Sequence, residues 1–239
     1  VDAHYAQNYE ELYRSHWWFR VRERVLVEVI RHVGLPPDAA ILDVGCGNGL
    51  FFDKLALFGP VRGIEIDRSL IPANSIYQDQ IFHWPLGAAQ YSSHRYELIT
   101  ALDVIEHIEN DRQAIDDIWA MLSPGGMLVI TVPAFMTLWD RHDDINRHYR
   151  RYTRASLRGL LARRGKVLKL CYLFHALVLP KFAIAMLNRV CKTKAVQHAI
   201  PQRWINRAME TACWMEYRII GHLSPPFGTS LLAVVQKPK

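Results

Sequence analysis

The chain has 239 residues, half of them hydrophobic and 22% charged, with 29 Lys and Arg against 23 Asp and Glu and a formal net charge of +6. That composition fits one substantial core, is short for two full domains, and excludes a disordered or repeat-built chain. Four scattered cysteines (Cys46, Cys171, Cys191 and Cys213) form no CxxC pair. Neither a disulfide framework nor a cysteine-rich zinc site is therefore expected, and a reducing, cytoplasmic setting fits.

The N-terminal segment VDAHYAQNYEELYRSHWWFR does not read as a signal peptide. Residues 4–33 read as helical: Val21, Val25, Leu26, Val29 and Ile30 recur at helical spacing, and Gly34, Pro36 and Pro37 stop the pattern. AAILDVG (39–45) is a buried strand ending in glycine. Residues 49–59 form an amphipathic helix closed by Gly59, and VRGIEI (61–66) is a second strand. Residues 74–78 are assigned to a third. YELITAL (96–102) is a fourth, followed by a helix over 111–122, the turn Ser123-Pro124-Gly125-Gly126 and a fifth strand, MLVITVP (127–133). Thr153 caps a helix over 154–164 that Gly165 stops. VLKLCYLF (167–174) is a sixth strand and TSLLAVVQK (229–237) the last.

Strands alternating with helices imply an α/β fold with parallel pairing. The residues between the last two strands, including 204–223, read as a helical cap on the sheet. The apolar stretch 168–187 is broken by Lys169, His175, Pro180 and Lys181. It falls short of the roughly 20 apolar residues of a membrane span, so a buried cap segment is expected, with peripheral membrane contact left open.

The segment ILDVGCGNGL (41–50) joins a buried strand to a helix through glycines. Gly45 and Gly47 let backbone approach a ligand, and Gly49 permits tight helix packing. Asp43 precedes the turn, and Glu65 ends the second strand about twenty residues on, where a carboxylate can accept hydrogen bonds from both ribose hydroxyls of a nucleoside.

With GIEID, YELITALDVIEHIEND and LSPGGMLVITVP following it, this segment resembles the class I S-adenosylmethionine-dependent methyltransferase family over residues 39 to about 133. The resemblance implies a Rossmann-like, seven-stranded, mostly parallel sheet with an antiparallel last strand. The chain is read as one domain over 1–239 with a Rossmann-like core (39–174) and the last strand (225–239); an N-terminal helical lid (1–34) and a helical cap insertion (175–224), in place of the usual short hairpin, depart from the minimal family fold. The resemblance implies S-adenosyl-L-methionine as cofactor. Asp43, Gly45, Cys46, Gly47, Asn48 and Gly49 would line its methionine and ribose side. Glu65 would hold the ribose, Ile66 would pack on the adenine, and Asp79 would lie near the adenine amino group. Leu102 and Asp103 would border the methyl group. Arg20 or Arg22 could reach the cofactor carboxylate.

On the acceptor side, Glu106 and His107 follow the fourth strand, and His142, Asp143, Asp144 and His148 follow the fifth. Segments leaving adjacent parallel strands converge at one sheet edge, so His148 is the candidate general base, with Glu106 and His107 ordering the site. The spacing in DVIEH is also similar to that of small-RNA 2′-O-methyltransferases, in which such residues bind a divalent metal with a later histidine. Aligning Thr153-Arg154 with that family's Thr-Arg puts His148 on that histidine, while Asp103 stands in place of a longer glutamate. The leading reading assigns no metal.

From 141 to 169 there are ten Lys and Arg against two Asp. Arg147, Arg150 and Arg151 suit phosphate or carboxylate. Together these features suggest methyl transfer to oxygen on a small or lipid-linked, anionic acceptor. RNA methylation and cofactor binding without catalysis are the competing readings, and no RNA-binding module is apparent.

Overall fold

The computed structural model describes residues 10–72, 75–88, 94–191, 200–221 and 223–239. Helix α1 spans Trp17–Arg31 and buries Val21, Val25, Leu26, Val29 and Ile30. The single helix expected over 4–33 is interrupted. Residues 10–15 are helical, but His16 is extended, and its ring accepts a hydrogen bond from the Trp18 N–H, capping α1. Residues 4–9 lie outside the described residues.

Strand β1 (Ile41–Val44) is followed by a short helix, α2 (Phe52–Leu55), and by β2 (Val61–Ile64). Only those four residues of the helix expected over 49–59 are α-helical. The third strand, β3, is Ile81–Phe82, not 74–78. Ile76 is 82% exposed, whereas Ile81 is buried and pairs with Gly63. β4 is Tyr96–Leu102, α3 is Asp111–Met121 and β5 is Leu122–Pro133. The Ser-Pro-Gly-Gly turn is a bulge inside β5: the register with β4 jumps from Tyr96–Leu122 to Leu98–Met127. Then follow α4 (Arg141–Ile145), α5 (Arg154–Leu161), β6 (Lys166–Leu173), α6 (Val178–Cys191), α7 (Arg203–Ile220) and β7 (Ser230–Gln236).

The strand order is β3-β2-β1-β4-β5-β7-β6, with β7 antiparallel to both neighbours. Alternation along the strands divides the core. Leu42 and Val44 face α3 and α5 through Ile115, Ile118, Leu157 and Leu161. Ile41 faces α1, α2 and α7 through Val25, Phe52 and Cys213. The result is three layers, with all parallel strands pointing their carboxyl ends to one edge.

The two inserted helices behave differently. α7 is clamped to the N-terminal helix: Asn206 accepts a hydrogen bond from the Trp17 N–H (2.9 Å) and donates one to the Ser15 carbonyl (2.7 Å). Arg20 pairs with Glu210, and Arg218 with Glu28. α6 packs against the short turn Met136–Leu138 after β5. Its apolar side chains are not buried as the cap reading expected: Leu179, Phe182, Ile184, Met186 and Leu187 are all exposed. Among the described residues, no helix is long and apolar enough to cross a membrane.

Candidate active site

The turn after β1 opens the carboxyl edge of the sheet. Gly45 and Gly47 both have positive φ (67° and 55°). A Cβ on Gly45 would lie 2.6 Å from the Val104 side chain, so the absence of a side chain here is needed for packing against the loop after β4. A Cβ on Gly47 would meet nothing within 4 Å, and this glycine faces the open side of the turn. Glu65 lies beside it. Its carboxylate accepts hydrogen bonds from the N–H of Gly47 (3.0 Å) and of Asp67 (2.9 Å). These two bonds leave lone pairs for ribose hydroxyls. Ile66, next in the chain, is 63% exposed and offers apolar surface at the same edge. This set fits a nucleoside.

Asp43 is buried beneath the turn and accepts a hydrogen bond from the Thr100 hydroxyl (2.6 Å). Burial raises its pKa to about 7, while Thr100 and Arg22 act in the opposite direction. Cys46, within the turn, has its thiol pKa pushed far up by burial. Leu102 ends β4, and Asp103 follows with φ 58°. Asp103 pairs with Arg22 of α1 (2.7 Å), and Arg22 also donates to the Thr131 hydroxyl. Arg22 thus meets the cofactor edge, whereas Arg20 is turned to Glu210.

Asp79 is not part of this group. It lies in the 3-10 turn Gln78–Gln80 that precedes β3, beside Pro60 and Val61 at the start of β2, and so at the amino edge of the sheet. There Asp79 lines a separate open cavity of about 450 Å³ with Phe52, Asp53, Val61 and Tyr77. The misplaced third strand caused the error. The residues that leave β3 at the carboxyl edge are His83 and Trp84, and the His83 ring is hydrogen-bonded to the Glu65 carbonyl.

On the acceptor side the structure brings Glu106, His107 and His148 together. Glu106 and His107 lie on a 3-10 turn after β4, and His148 arrives from the loop after β5. The two imidazoles meet edge to face at 4.5 Å. One ligand atom from each of the three residues lies within 4.8 Å of the others. The His107 Nδ1–H donates to the Asn146 carbonyl (2.8 Å), and the His148 Nδ1–H donates to Asp143 (2.7 Å). These acceptors fix both tautomers and leave both Nε2 atoms with a lone pair. Burial, then His148, lowers the His107 pKa. The Glu106 carboxyl is fully buried with no hydrogen-bond partner on either oxygen. Burial, then the charge of Asp103, holds its pKa well above the usual carboxylate range.

Behind His148 stands a support that sequence reasoning named only as candidates. Arg151 donates to both oxygens of Asp143 (2.9 and 2.8 Å) and to the Ala134 carbonyl. Burial alone would raise the Asp143 pKa, but the hydrogen bonds from His148 and Arg151 outweigh it and keep the carboxyl ionised. Asp143 also closes a capping box with Asp140. That D-x-x-D spacing was the available signal. Two of the three arginines expected to grip an anion are otherwise engaged: Arg151 in this array, and Arg150 with the Ile108 and Glu109 carbonyls and Asp111.

A family model described as a methyltransferase domain matches residues 13–168. A ubiquinone biosynthesis O-methyltransferase from Coxiella burnetii (strain Dugway 5J108-111) is 30% identical over 123 residues, covering 47% of this chain and 46% of the relative. The chain thus spans about half the length of the curated relatives it matches. A SAM dependent methyltransferase from Archaeoglobus fulgidus superposes with TM-score 0.58 at 16% identity, over 96% of this chain and 98% of the other. The N-methyltransferase NodS from Bradyrhizobium japonicum WM9, in complex with S-adenosyl-L-homocysteine, superposes with TM-score 0.57 at 16% identity, over 96% and 91%. The chain belongs to the methyltransferase domain family, the class I S-adenosylmethionine-dependent methyltransferases.

Proposed function

We propose that the chain transfers a methyl group from S-adenosylmethionine to an oxygen of a small or amphiphilic, anionic acceptor, with His148 as general base. When bound, the cofactor supplies a methyl group already activated on a sulfonium, which leaves positioning and proton removal to the protein. The observation that carries the reading is the His148–Asp143–Arg151 array beside Glu106 and His107. Asp143 holds the His148 ring through Nδ1 and stabilises the imidazolium formed when Nε2 takes a hydroxyl proton. Glu65, Gly47 and Ile66 would hold the nucleoside, and Arg22 meets Asp103 between the two halves. The O-methyltransferase relatives support oxygen as the methylated atom. With Arg150 and Arg151 committed to the fold, Arg147, exposed on the same loop, is the side chain left to meet an anionic group. A cytosolic site is part of the proposal, supported by the free thiols of Cys46, Cys171 and Cys213.

The test is transfer of labelled methyl to small-molecule and lipid extracts from cells lacking the gene. Label on oxygen of one product is expected; label on nitrogen or carbon, or no transfer, rejects the reading. With that acceptor, His148→Ala should lower turnover about a hundredfold and leave cofactor affinity unchanged, as loss of a general base does.

A second reading keeps the methyl transfer and gives Glu106, His107 and His148 to a divalent cation. It is favoured by the 4.8 Å cluster, by the unpartnered buried carboxyl of Glu106 and by Nδ1–H bonds that aim both Nε2 atoms as ligands. In that case turnover collapses with chelator and returns with added divalent ion. Arg150, Arg151, Arg154 and Arg164 of the basic segment brace the fold, which weakens the case for an RNA acceptor.

A further inference from the structure

The surface of α6 is chemically unusual. Leu179, Phe182, Ile184, Met186 and Leu187 are 78%, 41%, 51%, 39% and 58% exposed. At helical spacing Leu179, Phe182 and Met186 form one stripe, and Ile184 with Leu187 form its neighbour. Ala185 is buried on the far side. A contiguous apolar surface of this kind marks a contact with something other than water. Lys181 is tied to Asp140 (2.9 Å), so the helix is anchored to the loop that carries Asp143 and His148. Met136, 52% exposed, sits on the turn that α6 packs against and extends the apolar surface toward that loop.

The charge pattern says what covers this surface. From 145 to 209 the sequence contains 15 Lys and Arg and no Asp or Glu. Glu210 is the first acidic residue after Asp144. Several of these cations are paired inside the fold, but Arg147, Arg158, Arg203 and Arg207 are exposed. A second copy of the chain would set this acid-free segment against itself, like charge facing like charge. An anionic bilayer satisfies both features, since it takes apolar side chains below its headgroups and attracts lysine and arginine at its surface.

We propose that α6 is an interfacial membrane-docking helix that inserts its apolar stripes into an anionic lipid surface. Docking there holds the loop of His148 next to the bilayer, where an amphiphilic acceptor partitions. The helix lies in the interface and does not span it, in keeping with its length of 14 residues.

Flotation of the full chain with vesicles tests this without cofactor or acceptor, so the result is independent of the oxygen-transfer reading. Vesicles of phosphatidylcholine with phosphatidylglycerol should bind at least about tenfold more tightly than phosphatidylcholine alone, and added salt should weaken the binding. Phe182→Glu with Leu187→Glu should abolish flotation while S-adenosylhomocysteine binding, measured by calorimetry, is retained. Phe182→Leu should float as the parent does. Three results overturn the proposal: no binding to anionic vesicles, equal flotation of the double variant, or a dimer by light scattering that the double variant dissolves in a chain that ignores vesicles.

Discussion

Asp43 and Asp143 are both buried carboxyls, yet the fold treats them oppositely. Asp143 has a bidentate guanidinium and an imidazole N–H, and stays ionised. Asp43 has one hydroxyl donor at 2.6 Å, and its pKa rises from 3.8 to about 7, chiefly through burial. A raised folded-state pKa means that the folded chain binds this proton more tightly than the unfolded one. The stability it contributes is complete below about pH 3.8 and is lost as pH rises through about 7. Asp43→Asn removes that titration while keeping an acceptor for Thr100. In urea unfolding of the cofactor-free protein, the variant should gain on the parent by about 2–4 kcal/mol between about pH 5 and pH 8. An equal difference at both pH values would show that Asp43 does not titrate in this range.

At the scale of elements, the proposed acceptor site depends on how the loop after β5 is returned to the sheet. Phe135 adopts φ 55°, and its N–H donates to the Tyr152 carbonyl (2.9 Å), while the Tyr152 N–H donates back to Pro133 (2.9 Å). Arg151 crosses the loop between Asp143 and the Ala134 carbonyl. Thr153 then starts α5 with a capping box to Ser156. Removing Asp143 leaves a guanidinium buried without its partner. Asp143→Ala should therefore destabilise the protein by about 3–5 kcal/mol, and replacing both Asp143 and Arg151 by Leu and Met should cost less than the single change. Chemical denaturation of the parent and the two variants checks this. A single variant as stable as the parent would mean that the loop is held by its backbone bonds alone.

Across the whole molecule, the proposed cofactor site draws on three separate parts of the chain. The glycine turn and Glu65 come from β1 and β2, and Arg22 comes from a helix that precedes the sheet. A ligand that contacts all three stabilises the folded state by mass action. S-adenosylhomocysteine at a hundredfold excess over its dissociation constant should add about 2.7 kcal/mol, or roughly 5–11 °C in Tm for a chain of this size. A nicotinamide dinucleotide should add nothing. Glu65→Ala, measured by calorimetry, should weaken S-adenosylhomocysteine by about 1.5–3 kcal/mol, since it removes a charged acceptor. Stabilisation by the dinucleotide alone would reject the family's cofactor for this chain.

Periodicity and local chemistry were enough to find β1, β2, β4, β5, β6 and β7, because each carries an apolar run, and all but the edge strand β6 are mostly buried in the middle layer. The GCGNG turn, Glu65 and the convergence of Glu106 and His107 with His148 were legible for a topological reason: residues that follow parallel strands share one sheet edge. What stayed hidden depends on partners distant in sequence. β3 is two residues long and is defined by its pairing with Gly63, so no periodic signal marks it, and Asp79 was placed at the wrong edge with it. The roles of Arg150 and Arg151 were misjudged because a cation reads alike in sequence whether it meets solvent, a ligand or a buried carbonyl. The same limit applies to α6. An apolar helix looks identical in sequence whether it is packed or exposed, and only its neighbours in the folded chain decide which.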